Sequence, residues 1–452
     1  MTGKTILHFM EPERIPRSKL IAYGFGIFGW SLSLNIISTL LSYIYLPPID
    51  DTTQLRNLVP QTTVLGVFNI IALVMAGGRL LDAVIDPLIA NWSDRLKHGL
   101  GRRIPFMRVS PVFIAIFCSL MFLPPLLNQS VENIKWLAMV QVGYYFFFGL
   151  YVIPYNALLA ELGHYPNGKM ELSTAQSAGF MLGMVFASTV PAFVGAIEFL
   201  HWPELKLYQF AIIVYNVVGA ICMLIPAFAI SEKKYCKPGT ASEPVFRSLK
   251  TALAVKNFRV FAFADASFFM GAALISAGLM YYVTALLRLP KESGAAFMAL
   301  SVIVTLFMYP VVNRLEKKYS KKKMIIMAFI ALSTVFFGIY NAGRWPIHAV
   351  IQCALLMILF GTFDSFLGIL PNTVVADISD AETRRTGENQ EGMFFGMRAF
   401  FQKLGQTLGV MLFMMLTLYG KDVNDDLGLR LSGIAGGVLC LVAAAVYTQY
   451  KE

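Results

Sequence analysis

The chain has 452 residues, of which 57% are hydrophobic and only 14% are charged. Soluble domains carry about a quarter charged residues, so a chain this apolar cannot cover its surface with polar groups in water. The composition excludes a soluble multidomain enzyme and indicates a membrane protein. The net charge of +10 would suggest nucleic acid in a soluble protein, but here the basic residues lie in loops between apolar stretches. We therefore expect the lipid bilayer, and no nucleic acid, as the partner of these charges.

Twelve apolar stretches are long enough to cross the bilayer core as helices, which takes about 20 residues each. Numbered as spans 1 to 12 in chain order, they cover residues 20–46, 62–93, 106–128, 135–162, 173–199, 207–231, 259–287, 294–314, 324–343, 347–379, 392–419 and 428–449. The sequence therefore predicts an all-α integral membrane protein with twelve transmembrane helices.

The positions of Lys and Arg predict the topology. They are concentrated in the two tails and in the loops that follow even-numbered spans. Because positive loops stay on the cytoplasmic side, both termini are expected in the cytoplasm of a multi-pass plasma (inner) membrane protein.

An internal repeat divides the chain into two halves. Residues 94–103 and 313–322 both contain Arg-Leu and, at the same spacing, a basic doublet. Short basic loops alone could be mere topology determinants, but six spans separate the two copies. We predict two pseudo-symmetric six-helix bundles, residues 1–231 and 259–452, joined by the cytoplasmic linker loop 232–258, with the solute site between the bundles.

Span 2 carries three charged residues on one helical face, Arg79, Asp82 and Asp86. Charges inside a membrane are costly, so they indicate function. Arg79 can neutralise one carboxylate, and the other must then be protonated or bind a cation. Asp82 and Asp86 are therefore predicted to bind the coupling cation and Arg79 to assist coupling, although an Arg–Asp pair could also simply tie helices together.

Span 11 places Lys403 near mid-bilayer, and Gln402 and Gln406 beside it indicate a wet or protein-lined face. A snorkelling lysine would lie nearer a helix end, so Lys403 is expected to face water or protein rather than lipid. Asp364 in span 10 is a candidate counter-ion for Lys403. Asp265 lies near the cytoplasmic end of span 7, where water can solvate it.

Several other polar residues are candidate solute or gate contacts, although such residues also serve helix packing. The predicted solute contacts are Ser31, Tyr151, Tyr155, Asn156, Gln176, Asp364, Gln402 and Gln406. The predicted gating residues at the end of span 2 and in its basic loop are Asp94, Arg95, Arg102 and Arg103. The five cysteines are scattered and form no metal-ligand pattern. We expect no metal and no cofactor other than the transported H⁺ or Na⁺.

These motifs resemble the glycoside–pentoside–hexuronide:cation symporters of the major facilitator superfamily. The similarity lies in Arg-Leu-Leu-Asp-Ala-Val-Ile-Asp-Pro at 79–87, Gly-Arg-Arg-Ile-Pro-Phe at 101–106, Ile-Pro-Tyr-Asn-Ala at 153–157 and Lys-Leu-Gly at 403–405. The resemblance implies a major facilitator fold. It also implies that Asp82 and Asp86 are cation-site carboxylates, and that Arg79 and Lys403 are their coupling partners.

The chain departs from the melibiose-permease pattern of that family at the sugar-binding positions. Ser31 and Val152 replace acids, Asn156 replaces a tryptophan, Gln176 replaces an arginine, and Ile85 replaces the asparagine before the second aspartate. The cation machinery is kept while the galactoside-binding set is largely lost. The resemblance therefore implies a solute other than a simple galactoside.

Together these features predict a monomeric secondary transporter that couples a small organic solute, a sugar or glycoside, to H⁺ or Na⁺. A proton is favoured because Ile85, Gly149 and Val152 offer no side-chain oxygen to a sodium ion. One alternative keeps the fold but carries a lysophospholipid or another amphiphile. A membrane enzyme or sensor is the second alternative, but the sequence has no nucleophile–base pair, metal cluster or phosphate loop to support it.

Overall fold

The computed structural model describes residues 14–48, 55–60, 63–64, 68–165, 168–236, 251–386 and 391–451. Within the helices it leaves out some side chains, including those of Arg79 and Asp94. Long helices account for nearly all of the regular structure. A short antiparallel pair of strands, β1 (Thr63–Val64) and β2 (Phe68–Asn69), precedes the second of them.

We number the spanning helices α1 to α12, so that they correspond to the predicted spans. Their bounds are Arg17–Tyr45, Ile70–Arg95, Ile104–Met121, Val131–Leu162, Gly168–Ser188 with Val190–Ala196, Glu204–Ala229, Lys256–Tyr281, Ser293–Glu316, Lys321–Tyr340, Ala349–Thr386, Glu391–Leu416 and Leu427–Tyr447. A π-helical turn, Tyr282–Leu286, extends α7, and a one-turn helix, Glu232–Tyr235, follows α6.

Among the described residues, ten helices are long and apolar enough to cross a membrane. The two parts of α5 form an eleventh span, bent by 40°. The bend has a sequence cause, because Pro191 lacks the N–H that would continue the hydrogen-bond ladder. The remaining long helix, α2, has 26 residues, and its centre carries Arg79, Asp82 and Asp86.

Three predicted boundaries are wrong by seven or eight residues, and one of them is the end of span 10, which was expected at residue 379 although α10 continues to Thr386. Span 2 was expected from residue 62, but Thr63 and Val64 form β1 and the helix begins at Ile70. β-Branched side chains favour strand over helix, which explains the late start. Span 3 was expected to reach residue 128, yet α3 ends at Met121. The Pro-Pro pair at 124–125 follows that end, as expected, because proline cannot continue a helix.

The helix packing repeats itself six helices later. In the first six helices, α1 packs on α5 and α6, α4 on α2 and α3, and α3 on α6. The same pairs recur as α7 on α11 and α12, α10 on α8 and α9, and α9 on α12. Across the two sets, α2 packs on α11, α5 on α8, and α1 on α7. This pattern confirms the predicted arrangement of two pseudo-symmetric six-helix bundles.

Glycines allow equivalent helices to approach closely in both bundles. A Cβ atom on Gly179 of α5 would lie 2.4 Å from a backbone oxygen of α1, and one on Gly405 of α11 would lie 2.2 Å from a backbone oxygen of α7. Close backbone contact through small residues is how membrane helices gain van der Waals energy without a hydrophobic driving force.

The two bundles are joined on the side away from the termini. Tyr281 at the end of α7 donates hydrogen bonds to the carbonyls of Ser42 (2.9 Å) and Leu46 (2.8 Å) at the end of α1. The buried Lys421 ammonium donates to the carbonyl of Pro47. The carbonyls of Leu46 and Pro47 lie just beyond the last helical residue, Tyr45, and have no intrahelical partner, so the second bundle caps this end of α1.

Candidate functional site

The charged residues of α2 and α11 meet between the two bundles. Lys403 Nζ donates to Asp82 Oδ2 at 2.8 Å and also to Asp86 Oδ2. The side chains of Asp82 and Asp86 are 8% and 20% exposed, and that of Lys403 is 32% exposed. The two aspartates and the lysine thus contact one another across the bundles, and their roles in cation binding and coupling stay predictions.

Each carboxylate keeps one oxygen free of the lysine. Asp82 Oδ1 and Asp86 Oδ1 are buried and have no hydrogen-bond partner among the described residues. Both lie near Gly149 of α4, where a Cβ atom would be 3.4 Å from Asp86 Oδ1 and 3.7 Å from Asp82 Oδ1. Unpartnered buried carboxylate oxygens are costly, and two that converge on one point suit a shared proton or cation.

The formal charge of this group is negative, because one lysine faces two carboxylates. The side chain of Arg79 lies outside the described residues, so its expected pairing with Asp82 stays a prediction. Lys403 is bonded to Asp82 and Asp86. The expectation that Asp364 is the counter-ion of Lys403 is therefore wrong in this structure.

A second charged cluster on α7, α10 and α11 was missed by the sequence analysis. Arg398 Nε and Nη2 donate to Asp265 Oδ2 and Oδ1 at 3.0 and 3.3 Å. Arg398 also bonds to Asn372, and Gln402 Nε2 donates to Asp265 Oδ2 at 3.3 Å. Asp265 is buried rather than solvated as expected. The position of Arg398 inside span 11 was the available signal, since an intramembrane arginine needs a buried acid.

Three predicted solute contacts are engaged within the first bundle. Ser31 Oγ and the Tyr151 hydroxyl donate to backbone carbonyls of α5 and α6 at 2.8 Å, and the Tyr155 hydroxyl donates to a carbonyl of α1. All three are fully buried. Gln176 differs, because it is half-buried and donates at 3.1 Å to the exposed Asn156.

The basic loop after α2 is held within its own bundle. Arg102 and Arg103 bond to Glu161 at the end of α4, at 3.0 and 3.1 Å. Arg95 is exposed, and the side chain of Asp94 lies outside the described residues. The gating role of these residues is not tested by these contacts and stays a prediction.

Glu232, at the start of the predicted linker, fixes the same loop. Its carboxylate accepts hydrogen bonds from the backbone N–H groups of Arg102 (2.8 Å), Arg103 (2.9 Å) and Ile104 (3.3 Å) at the start of α3. Gly101 adopts a φ of +113°, and a Cβ atom there would lie 2.1 Å from Glu232 Oε2. Only glycine fits this close approach and this backbone conformation.

An acid–lysine cluster buried between two pseudo-symmetric six-helix bundles is the arrangement of a secondary transporter. The chain belongs to the MFS/sugar transport protein family, whose model matches residues 22–426. The resemblance drawn from the motifs is confirmed, as are the major facilitator fold and the prediction that the protein is a transporter and not an enzyme.

The relatives and the solved structures agree with this assignment. An uncharacterised symporter of Synechocystis sp. (strain ATCC 27184 / PCC 6803 / Kazusa) is 23% identical, over 89% of this chain and 86% of the relative. The isoprimeverose transporter of Lactiplantibacillus pentosus is 20% identical, over 88% of this chain and 80% of the relative. The structure of a D-xylose-proton symporter has a TM-score of 0.68 at 12% identity, covering 96% of this chain and 97% of that one.

These similarities confirm the prediction of a multi-pass, cation-coupled transporter of the sugar class, and they do not favour the lysophospholipid alternative. Symporter relatives imply a solute and a coupling cation as partners.

Proposed function

We propose that the protein is a proton-coupled symporter for a sugar or glycoside, with Asp82 and Asp86 as the cation site and Lys403 as the coupling residue. The observation that carries the proposal is the contact of one lysine with both carboxylates across the two bundles. Among the described side chains the site has one negative charge in excess, so these residues are neutral only after they take up one proton or monovalent cation.

The ligand set supports a proton over sodium. A hard cation such as sodium needs several oxygen ligands, by analogy with other oxygen-rich cation sites. The two unpartnered Oδ1 atoms supply two, while the nearby Gly149 has no side-chain hydroxyl and Ile85 offers no oxygen. A proton needs only one of the two carboxylates, because a buried acid beside another acid binds a proton more tightly.

Coupling follows from competition for the carboxylates. Lys403 belongs to α11 of the second bundle and its partners belong to α2 of the first. A cation that neutralises one carboxylate weakens the hold of the lysine and so loosens the contact between the bundles. Loading of the site thereby changes the free energy of the movement that exposes the solute to either side.

The proposal includes the two bundles at residues 1–231 and 259–452, the linker 232–258, and a monomer in the plasma (inner) membrane with both termini cytoplasmic. The basic loops after even-numbered helices support this topology. With that orientation, the contacts of Tyr281 and Lys421 with the end of α1 close the outer side. The described conformation is then one closed to the outside.

Uptake into proteoliposomes tests the proposal. The purified protein is screened with radiolabelled sugars, glycosides, amino acids and lysolipids under an imposed pH gradient or an imposed sodium gradient. Accumulation of a sugar or glycoside that follows the pH gradient is expected. Accumulation driven by sodium at symmetric pH, with no response to the pH gradient, would assign the coupling to sodium. Absence of coupled uptake of any sugar or glycoside would overturn the function.

A further inference from the structure

The solute contacts expected in the first bundle leave little chemistry for a sugar. The hydroxyls of Ser31, Tyr151 and Tyr155 are fully buried and bonded to backbone carbonyls of neighbouring helices. A sugar that used those hydroxyls would have to break the packing of four helices. Its polar groups need partners elsewhere.

The second bundle supplies such partners at the level of the coupling lysine. Asp265, Asn372, Arg398 and Gln402 form one hydrogen-bonded cluster from three helices. It combines a carboxylate, which accepts hydrogen bonds, a guanidinium, which donates them, and two amides, which do both. Gln402 directly precedes Lys403 on α11, so one member of the cluster adjoins the cation site along the helix.

The cluster borders open space rather than a sealed core. Arg398 and Asp265 are buried, but Gln402 is half-buried and Asn372 is exposed. Asp364, Gly368 and Asn372 follow one another at i, i+4 and i+8 on α10 and so share a face. A half-buried carboxylate on that face is costly against lipid hydrocarbon, which indicates a water-lined space.

Tyr309 of α8 borders the same space. A Cβ atom on Gly368 would lie 3.3 Å from the Tyr309 hydroxyl. The absence of a side chain at Gly368 therefore leaves this hydroxyl uncovered from the α10 side. The polar surface thus extends from α11 across α10 to α8.

We propose that Gln402 and Asn372, held in place by the buried Asp265–Arg398 pair, form the site that recognises the hydroxyl groups of the solute, and that this site selects neutral sugars or glycosides over sugar acids. The inference rests on the proposed function and names its substrate class. The side-chain amides of Gln402 and Asn372 each carry donors and an acceptor for solute hydroxyls, and their bonds to Asp265 and Arg398 fix their orientation. The charges of Asp265 and Arg398 cancel, so the site offers no net positive charge to an anionic solute.

The location also explains how solute and cation are linked. A solute that bonds to Gln402 acts on the residue next to Lys403 on α11. Solute binding then changes the geometry with which Lys403 reaches Asp82 and Asp86, without any direct contact between solute and cation.

The test measures solute KM and the pH dependence of uptake for Arg398→Lys, Asp265→Asn and Asn372→Ala in proteoliposomes. Arg398→Lys keeps the charge but loses the planar fork of donors. Asn372→Ala removes one neutral partner and leaves the ion pair intact, which keeps the test valid if a charge variant fails to fold. Each variant is expected to raise the KM for the solute, by at least tenfold for Arg398→Lys and Asp265→Asn. The pH dependence of uptake should stay that of wild type. Wild type should accumulate a neutral glycoside and not the corresponding uronic acid.

Arg430→Gln is the matched control, because it breaks another buried ion pair of the second bundle, that with Asp426. A KM within twofold of wild type in all three variants, an equal rise in the control, or uptake of the uronic acid at the rate of the neutral glycoside would overturn the inference. If wild type shows coupled uptake and the three variants are unaffected, only the proposed recognition site is rejected and the proposed function stands. Absence of sugar or glycoside uptake in wild type removes the proposed function and this inference together.

Discussion

Replacing Asp86 by asparagine should uncouple transport without unfolding the protein. In the described structure Lys403 bonds to Asp82 as well as to Asp86. Asp86→Asn keeps the size of the side chain and leaves a neutral Asp82–Lys403 pair. The site then has no excess negative charge and no reason to take up a cation. Solute should still exchange down its own gradient, because the solute contacts are untouched.

The size of the effect follows from the charge count. Two carboxylates and one lysine leave one negative charge, so one positive charge travels with each neutral solute. At a membrane potential of 100 mV, one charge supplies about 2.3 kcal/mol. Since 1.4 kcal/mol corresponds to a factor of ten, wild type can accumulate solute roughly 50-fold. The variant should reach a ratio of about one.

The assay compares two measurements on the same proteoliposomes. Accumulation is followed under a potassium diffusion potential with the proton gradient allowed to respond, and equilibrium exchange is followed with no gradient. Glu132→Gln serves as the control, because it removes an exposed carboxylate at the start of α4. If Asp86→Asn accumulates solute like this control, the carboxylate is structural and the coupling argument fails. Loss of exchange as well would show damage to the solute path and would also contradict the reasoning.

Three further changes have defined outcomes. Gly149→Ser adds a hydroxyl beside both unpartnered Oδ1 atoms, so a sodium gradient should begin to drive uptake. The same cation preference as wild type, when a sodium gradient and a pH gradient are imposed separately, would contradict this. Glu232→Ala removes the carboxylate that holds three N–H groups at the start of α3. Thermal unfolding in detergent should show that the free energy of unfolding falls by about 0.5–2 kcal/mol. An unshifted melting temperature would refute this. The double variant Tyr281→Phe with Lys421→Met removes the caps of α1. A cysteine probe placed on the closed side should then react faster with a membrane-impermeant thiol reagent than the same probe in wild type. Equal reaction rates in the two proteins would argue against a gate there.

The sequence was sufficient to predict the helices because the bilayer imposes a simple rule. Every backbone polar group must be satisfied internally, so long apolar stretches become helices and their number can be counted. Local chemistry explains the errors. β-Branched residues convert the start of span 2 into strand β1, and Pro191 bends α5, neither of which alters mean hydropathy over a span.

The charged partners were harder to predict, because pairing depends on which helices meet. Asp82 and Asp86 could be found from their spacing on one helix, whereas Lys403 is 317 residues from Asp86 in the chain. Only the family resemblance linked Lys403 to Asp82 and Asp86, and the depth of Asp364 in span 10 offered that residue as the counter-ion instead. The packing of α2 on α11 decides otherwise. The pairing of Asp265 with Arg398 was missed for the same reason, because neither residue alone reveals that α7 and α11 are neighbours.

Placing the coupling lysine on the opposite bundle from its carboxylates has a mechanical consequence. An acid–base pair within one bundle could change its protonation without moving anything else, because both partners would travel together. Here the bonds from Lys403 to Asp82 and Asp86 cross the interface, so they contribute to holding the bundles together near the membrane centre. The contacts of Tyr281 and Lys421 with the end of α1 hold the same interface on one side only. We expect charge neutralisation at the centre to weaken the contact between the bundles, while the contacts of Tyr281 and Lys421 hold one side closed. On this proposal the coupling cation needs no contact with the gate to control it.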